Sequence, residues 1–140
     1  MGKIVAISNQ KGGVGKTTTS VNLASSLSYL GKKVLLVDVD HQANATTYMG
    51  INRANLKYTT ADLFNETCDI HDVIQRVDSV NVDIVPARYE LSTIEGNLVS
   101  HTNKDYILSN ALEEVRDNYD FIIIDCPPSL GIVTVNALTA

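Results

Sequence analysis

The chain has no tryptophan, only two phenylalanines, and only three prolines in 140 residues. It has just two cysteines, Cys68 and Cys126, which form no C-x-x-C pair and have no histidine at metal-ligand spacing. That excludes a disulfide scaffold and a zinc module, and leaves two reduced thiols. Eleven basic residues stand against sixteen acidic ones, with a net charge of −5 and a pI near 5.0. No global basic field therefore draws the chain to nucleic acid or anionic lipid, and no Lys/Arg cluster supplies a local one. No apolar run approaches the roughly eighteen residues that would cross a bilayer. The amino terminus enters a strand pattern at once, which leaves no room for a signal peptide. Gly2 hints at N-myristoylation, but Ala6 stands where that motif requires Ser or Thr. Repeats, low-complexity tracts and linkers are absent.

What is present is a regular alternation. Four short apolar runs, 4–7, 34–37, 82–85 and 121–124, read as strands. Three are nearly uninterrupted and rich in β-branched residues, as expected of strands buried on both faces of a parallel sheet. The run VDIV (82–85) is broken by Asp83 and followed by Pro86, which points to a place nearer the sheet edge. Between the strands lie helical patterns. Leu23, Ala24, Leu27 and Leu30 share a face in 17–30, and Gly31 supplies the stop. Ile107, Leu108, Ala111, Leu112 and Val115 form a second stripe in 104–118. Shorter helical turns are predicted in 59–64, 69–75 and 90–99, and another helix begins after Pro127–Pro128. The order predicts an α/β fold, a mostly parallel sheet with helices on both faces and right-handed crossovers. About two thirds of the unfolded surface can be buried by one domain of this length. Four strands alone would leave an apolar edge open, which suggests an incomplete domain.

Chemistry concentrates in NQKGGVGKTTTS, residues 9–20, directly behind the first strand. A glycine-rich turn between strand and helix lets backbone N–H groups converge on phosphate oxygens, and the helix dipole adds to the attraction. Gly12, Gly13 and Gly15 supply the freedom, Lys16 neutralises β- and γ-phosphates, and Thr17 can place its hydroxyl on Mg²⁺. Two departures from the G-x-x-x-x-G-K-[ST] pattern stand out. Gln10 occupies the first glycine position, and a second lysine, Lys11, follows it. Acidic residues fall where they would complete such a site: Asp38 and Asp40 close the second strand on one side, and Asp125 closes the run FIIID. Ligands of open α/β sheets bind at these carboxyl ends.

With KGGVGKTT, DVDHQANATT and FIIIDCPPSLG in this order, the chain resembles the deviant Walker A ATPases of the ParA/Soj partition group, which are related to MinD. The resemblance runs from Met1 to Ala140. It implies a P-loop NTPase-like fold, with residues 1–140 the N-terminal portion of the family domain. It also implies ATP and Mg²⁺ as cofactors and Mg-dependent ATP hydrolysis. Phosphate binding falls to Lys11, Gly12, Gly13, Val14, Gly15, Lys16, Thr17 and Thr18, catalysis to Lys11, Lys16 and Asp40, and the metal to Thr17, Asp38 and Asp125. Lys11 becomes the signature lysine, reaching into the partner's site across a nucleotide-sandwich homodimer, where a second cation stabilises charge developing on transfer. Asp40 orients the attacking water, and Asp38 and Asp125 support the metal and the switch region.

The resemblance further implies a cytoplasmic, nucleoid-associated switch for plasmid or chromosome partitioning, with a ParB/Spo0J-like centromere-binding partner, non-specific DNA binding in the full-length protein and no membrane. Members of the group continue beyond the segment matching NALTA with further strands, adenine contacts and DNA-binding surface. A chain of this length is therefore expected to be weakly active or inactive alone. One departure lies beside the catalytic aspartate, where the group reads D-P-Q and this chain reads Asp40-His41-Gln42. Losing the fixed φ of proline gives a more mobile loop. Two other readings share the motifs: a MinD-like membrane-cycling ATPase, and an ATP-dependent metabolic enzyme of the same superfamily, such as an amide ligase. A nucleotide-binding fragment without turnover is the last.

Overall fold

A computed structural model describes residues 2–9 and 15–140. The strand β1 (Lys3–Ile7) leads toward the phosphate loop, and α1 (Lys16–Tyr29) leaves it. Then follow β2 (Val34–Asp38), α2 (Asn44–Tyr48), α3 (Thr60–Phe64), α4 (Ile70–Val73), β3 (Gln75–Val77) and β4 (Val82–Val85). The chain ends with α5 (Ile94–Leu98), α6 (Ile107–Glu113), β5 (Phe121–Asp125) and α7 (Ile132–Thr139). Short 3₁₀ turns at Arg53–Asn55, Tyr89–Thr93 and Arg116–Asn118 join them.

The five strands lie in the order β1-β5-β2-β4-β3, all parallel except β3, which runs antiparallel to β4. The mostly parallel sheet with helices on both faces is thus as the sequence predicts. Alternation along the strands divides the core in two. Leu36, Ile84 and Ile123 pack with Ala24 of α1 and with Ala45 and Met49 of the α2 region. Leu35, Val37, Ile122 and Ile124 pack on the other face against α3 to α7, where Phe64, Ile94, Leu108 and Leu112 are fully buried.

Three local expectations need correction. First, one strand was not expected: β3 begins at the last residue of the helical turn read over 69–75 and covers the edge beyond β4, which leaves β4 second from the sheet edge, in keeping with the reading of VDIV. That turn is only the four residues of α4, and three residues, QRV, are too short for any period to register. Asp83, read as an edge signal, has partners there: it accepts from Arg76 Nη1 (3.1 Å) and from the Tyr119 hydroxyl (2.7 Å). Second, Leu30 does not join the buried face of α1. It is 71% exposed at the helix C-cap, and the buried positions are Ser20, Ala24 and Ser28. Ser28 can be buried because its hydroxyl donates to Asn81 O at 2.8 Å. The stop at Gly31 is as expected, with a left-handed φ of 85°. Third, the helix expected over 104–118 is α6 alone, followed by the 3₁₀ turn at Arg116–Asn118.

Gly2 has a packing role. Its N–H donates to Arg116 O (3.1 Å) and its carbonyl accepts from Arg116 Nε (2.8 Å). A Cβ there would stand 2.5 Å from Tyr119 O and 2.7 Å from Arg116 O, both rigid backbone atoms. Gly2→Ala is therefore expected to cost about 1–3 kcal/mol as β1 is pushed off its anchor. An unchanged urea midpoint would contradict this close approach.

Candidate functional site

The register of the parallel strands builds the site. Asp38 and Asp125 are directly paired across β2 and β5, and Asp125 is also the register partner of Ile7 at the end of β1. Three strands therefore finish at one level, facing the first turn of α1. Gly15 opens that helix with φ 80°, a conformation that favours glycine strongly over residues with a Cβ.

Asp125 is the hub. Its side chain is fully buried, and Oδ1 accepts from Lys16 Nζ at 2.8 Å and from Ser20 Oγ at 2.8 Å. Oδ2 accepts from Thr17 Oγ1 at 3.0 Å. Lys16 Nζ also lies 3.9 Å from Asp40 Oδ2, so one ammonium stands between two carboxylates, and Lys16 and Asp40 are themselves almost enclosed. Thr18 is exposed next to them on the same turn. The structure thus brings together Gly15, Lys16, Thr17, Asp40 and Asp125 of the expected residues. Lys11, Gly12, Gly13 and Val14 lie outside the described residues, as does Gln10.

Asp38 is differently employed. Its Oδ2 accepts from Thr46 N (2.9 Å) and from the Thr46 hydroxyl (2.7 Å), and its Oδ1 accepts from Asp40 N (3.1 Å). The Thr46 hydroxyl in turn accepts from Ala87 N (2.9 Å), and Thr60 Oγ1 donates to Asp38 O (2.6 Å). Asp38 therefore ties the loop carrying Asp40 to α2 and to the end of β4. Asp40 itself accepts from Gln42 N at 3.0 Å, which turns the loop back toward α2. His41 sits edge-on to Tyr89, with ring centroids 6.5 Å apart.

Complete burial pushes the Asp38 carboxyl up to about 7, against the lowering pull of the Thr46 hydrogen bonds and with a further rise from Asp125. The folded state then holds a proton that the unfolded chain releases near pH 4. The favourable contribution of Asp38 is complete below about pH 4 and is lost as pH rises toward 7. The stability difference between wild type and Asp38→Asn should therefore fall by as much as ~3 kcal/mol between pH 4.5 and 7.5. Urea unfolding at several pH values measures it. A difference that widens with pH would mean that Asp38 is buried as the anion. Burial also pushes the Cys126 thiol, one residue after Asp125, up to about 12, so it is an inert neighbour.

Two participants escaped the sequence reading, Ser20 and Thr46. Ser20 had a legible signal, since it lies one helical turn after Lys16 and so shares its face. Thr46 had none, because its partner is eight residues away across a loop.

A hydroxyl and a carboxylate are hard oxygen donors and suit Mg²⁺, and the ammonium beside them suits an anionic ligand such as a phosphate chain. At the opposite end of the strands, Lys32, Lys33, Arg76 and Tyr119 border a cavity of roughly 380 Å³. No helix among the described residues is long and apolar enough to cross a membrane.

Comparison with known proteins shows the family and the fold of the chain. A family model described as AAA domain, AAA_31, matches residues 2–140. The sporulation initiation inhibitor protein Soj of Bacillus subtilis is 53% identical over 140 residues, covering 100% of this chain and 55% of the relative. The cobyrinic acid a,c-diamide synthase of Mycobacterium smegmatis, solved with a bound ATP analogue and magnesium, superposes with TM-score 0.96 at 35% identity, over 100% of this chain and 57% of that one. A plasmid partition protein from Borrelia burgdorferi gives TM-score 0.88 at 36% identity, over 99% and 62%. The chain spans about half the length of the curated relatives it matches.

Proposed function

We propose, for a chain that belongs to the AAA_31 family of AAA domains and has Soj/ParA partition ATPases among its relatives, that it carries the phosphate- and metal-binding half of an ATP-driven dimerisation switch for plasmid or chromosome partitioning. The observation that carries this reading is the meeting of Lys16 and Thr17 with Asp125 at the carboxyl ends of β2 and β5, with Asp40 alongside. Residues 1–140 make up this portion of the domain. ATP and Mg²⁺ are its ligands, as in the related synthase solved with both.

Each residue has a task in hydrolysis. The backbone N–H groups of residues 11–15 would supply donors to the phosphates, and Lys16 would bind the β- and γ-phosphate oxygens as a point charge. Thr17 and Asp125 hold the magnesium ion, which when bound draws charge away from the transferring phosphoryl group. Asp40 accepts a hydrogen bond from the attacking water and keeps it in line. Lys11 of the second protomer completes the charge complement, so turnover waits for dimerisation. Asp38 keeps the Asp40 loop in register. The assembled dimer would bind DNA non-specifically, meet a ParB-type partner that stimulates hydrolysis, and act at the nucleoid.

The likeness to the diamide synthase favours a second reading, in which the same site drives amide synthesis. A size measurement separates the two. In full-length Asp40→Ala, expected to bind ATP and to hydrolyse it about 10²–10⁴-fold more slowly, Mg·ATP is expected to shift the protein from monomer to dimer in sedimentation, whereas Mg·ADP is not. A mass independent of which nucleotide is present would count against the switch.

A further inference from the structure

The hydrogen bonds of Asp125 raise a conflict of duty. Lys16 Nζ and Ser20 Oγ share Oδ1, each at 2.8 Å, while Thr17 holds Oδ2, so a wholly buried carboxylate has its charge balanced by the same lysine that a phosphate chain requires. If Lys16 turned to phosphate alone, Asp125 would be left a buried anion with, among the described residues, two hydroxyls for side-chain support. Asp40, the other carboxylate near that ammonium at 3.9 Å, makes the departure harder still.

We propose that the Lys16–Asp125 ion pair is a cation-gated latch: Lys16 leaves Asp125 for phosphate when a divalent cation takes over the carboxylate's charge, and Ser20 keeps the carboxylate in place during the exchange. This rests on the nucleotide-binding reading above and adds to it a coupling between the two ligands. Nucleotide and cation favour each other's binding through a pair of side chains, beyond their attraction in solution. Ser20 acts here as a positioning residue. Its second bond, to Lys16 O at 3.1 Å, ties it to the helix and keeps the hydroxyl at Asp125 when the ammonium moves.

The test uses a fluorescent ATP analogue titrated into the chain in MgCl₂ and in EDTA. Wild type is expected to bind at least ~10-fold more tightly with Mg²⁺, and Asp125→Asn to narrow that gap below ~3-fold while binding better than wild type in EDTA. An Asp125→Asn protein that keeps the wild-type gap, or binds no better than wild type in EDTA, overturns the latch and leaves the nucleotide site standing. Wild type that binds in neither buffer overturns both. A second arm needs no nucleotide: Mn²⁺ binding followed by electron paramagnetic resonance. Lys16→Ala should bind Mn²⁺ about 10-fold more tightly than wild type, and adding Ser20→Ala should reverse the gain while Ser20→Thr keeps it. Equal Mn²⁺ affinity in wild type and Lys16→Ala overturns the latch.

Discussion

Lys16→Ala is expected to lower Mg·ATP affinity by at least 100-fold, on the order of 3 kcal/mol. It should also abolish the thermal stabilisation that ATP confers on the wild type. The side chain is 91% buried, with its ammonium among Asp125, Asp40 and Thr17. No other described lysine or arginine is paired with these carboxylates. Charge-assisted bonds to phosphate in so enclosed a site are about twice as strong as neutral ones. A bound nucleotide at a hundredfold excess over Kd adds about 2.7 kcal/mol of stability to the wild type. Calorimetric titration at fixed Mg²⁺, with circular dichroism to establish that the variant is folded, measures the effect. Equal affinities in wild type and variant would remove Lys16 from the binding site.

The second large effect concerns hydrolysis in the proposed dimer of the full-length protein. Asp40→Ala should slow turnover by about 10²–10⁴-fold while leaving ATP affinity nearly unchanged, as expected if the residue positions water and not phosphate, the role proposed for it above. Lys11→Ala should be as slow, for a different reason: in the proposed dimer it would withhold the trans cation. When the two variants are mixed, the Lys11→Ala protomer keeps its own Asp40 and receives an intact Lys11 from its partner. One site in each heterodimer then works, and random pairing at equal amounts should restore about a quarter of the wild-type rate. A lysine acting within its own protomer restores nothing. Steady-state phosphate release from the mixture, compared with each variant alone, decides between these outcomes.

Much of the site was legible because its parts are local. The sequence G-K-T between a strand pattern and a helix pattern marks Gly15, Lys16 and Thr17 without tertiary knowledge, and an aspartate closing a β-branched run marks Asp38 and Asp125. The register that pairs Asp38 with Asp125 follows from two buried strands of equal length, VLLVD and FIIID. The metal role expected of Asp38 was harder to judge from sequence. Its environment depends on Thr46, which reaches it only because Ala43 adopts a left-handed φ of 56° and lets α2 start beneath the strand end. Ser20 and Ser28 were invisible to hydrophobic periodicity, since each is buried with a hydrogen-bond partner. Leu30 misled for the converse reason: a leucine at helix spacing lies past the last turn, where no neighbour covers it. The strand β3 was missed because it is three residues long and pairs only with β4.

The central claim is that the carboxyl ends of β1, β2 and β5 hold the nucleotide, with Lys16 turned to its phosphates. Crystallography of the chain with Mg²⁺ and a non-hydrolysable ATP analogue tests it most directly. The account predicts the phosphates within hydrogen-bond reach of Lys16 and the backbone of residues 11–17, with the metal between Thr17 and Asp125. An analogue seated instead among Lys32, Lys33, Arg76 and Tyr119, at the amino ends of the strands, would contradict it.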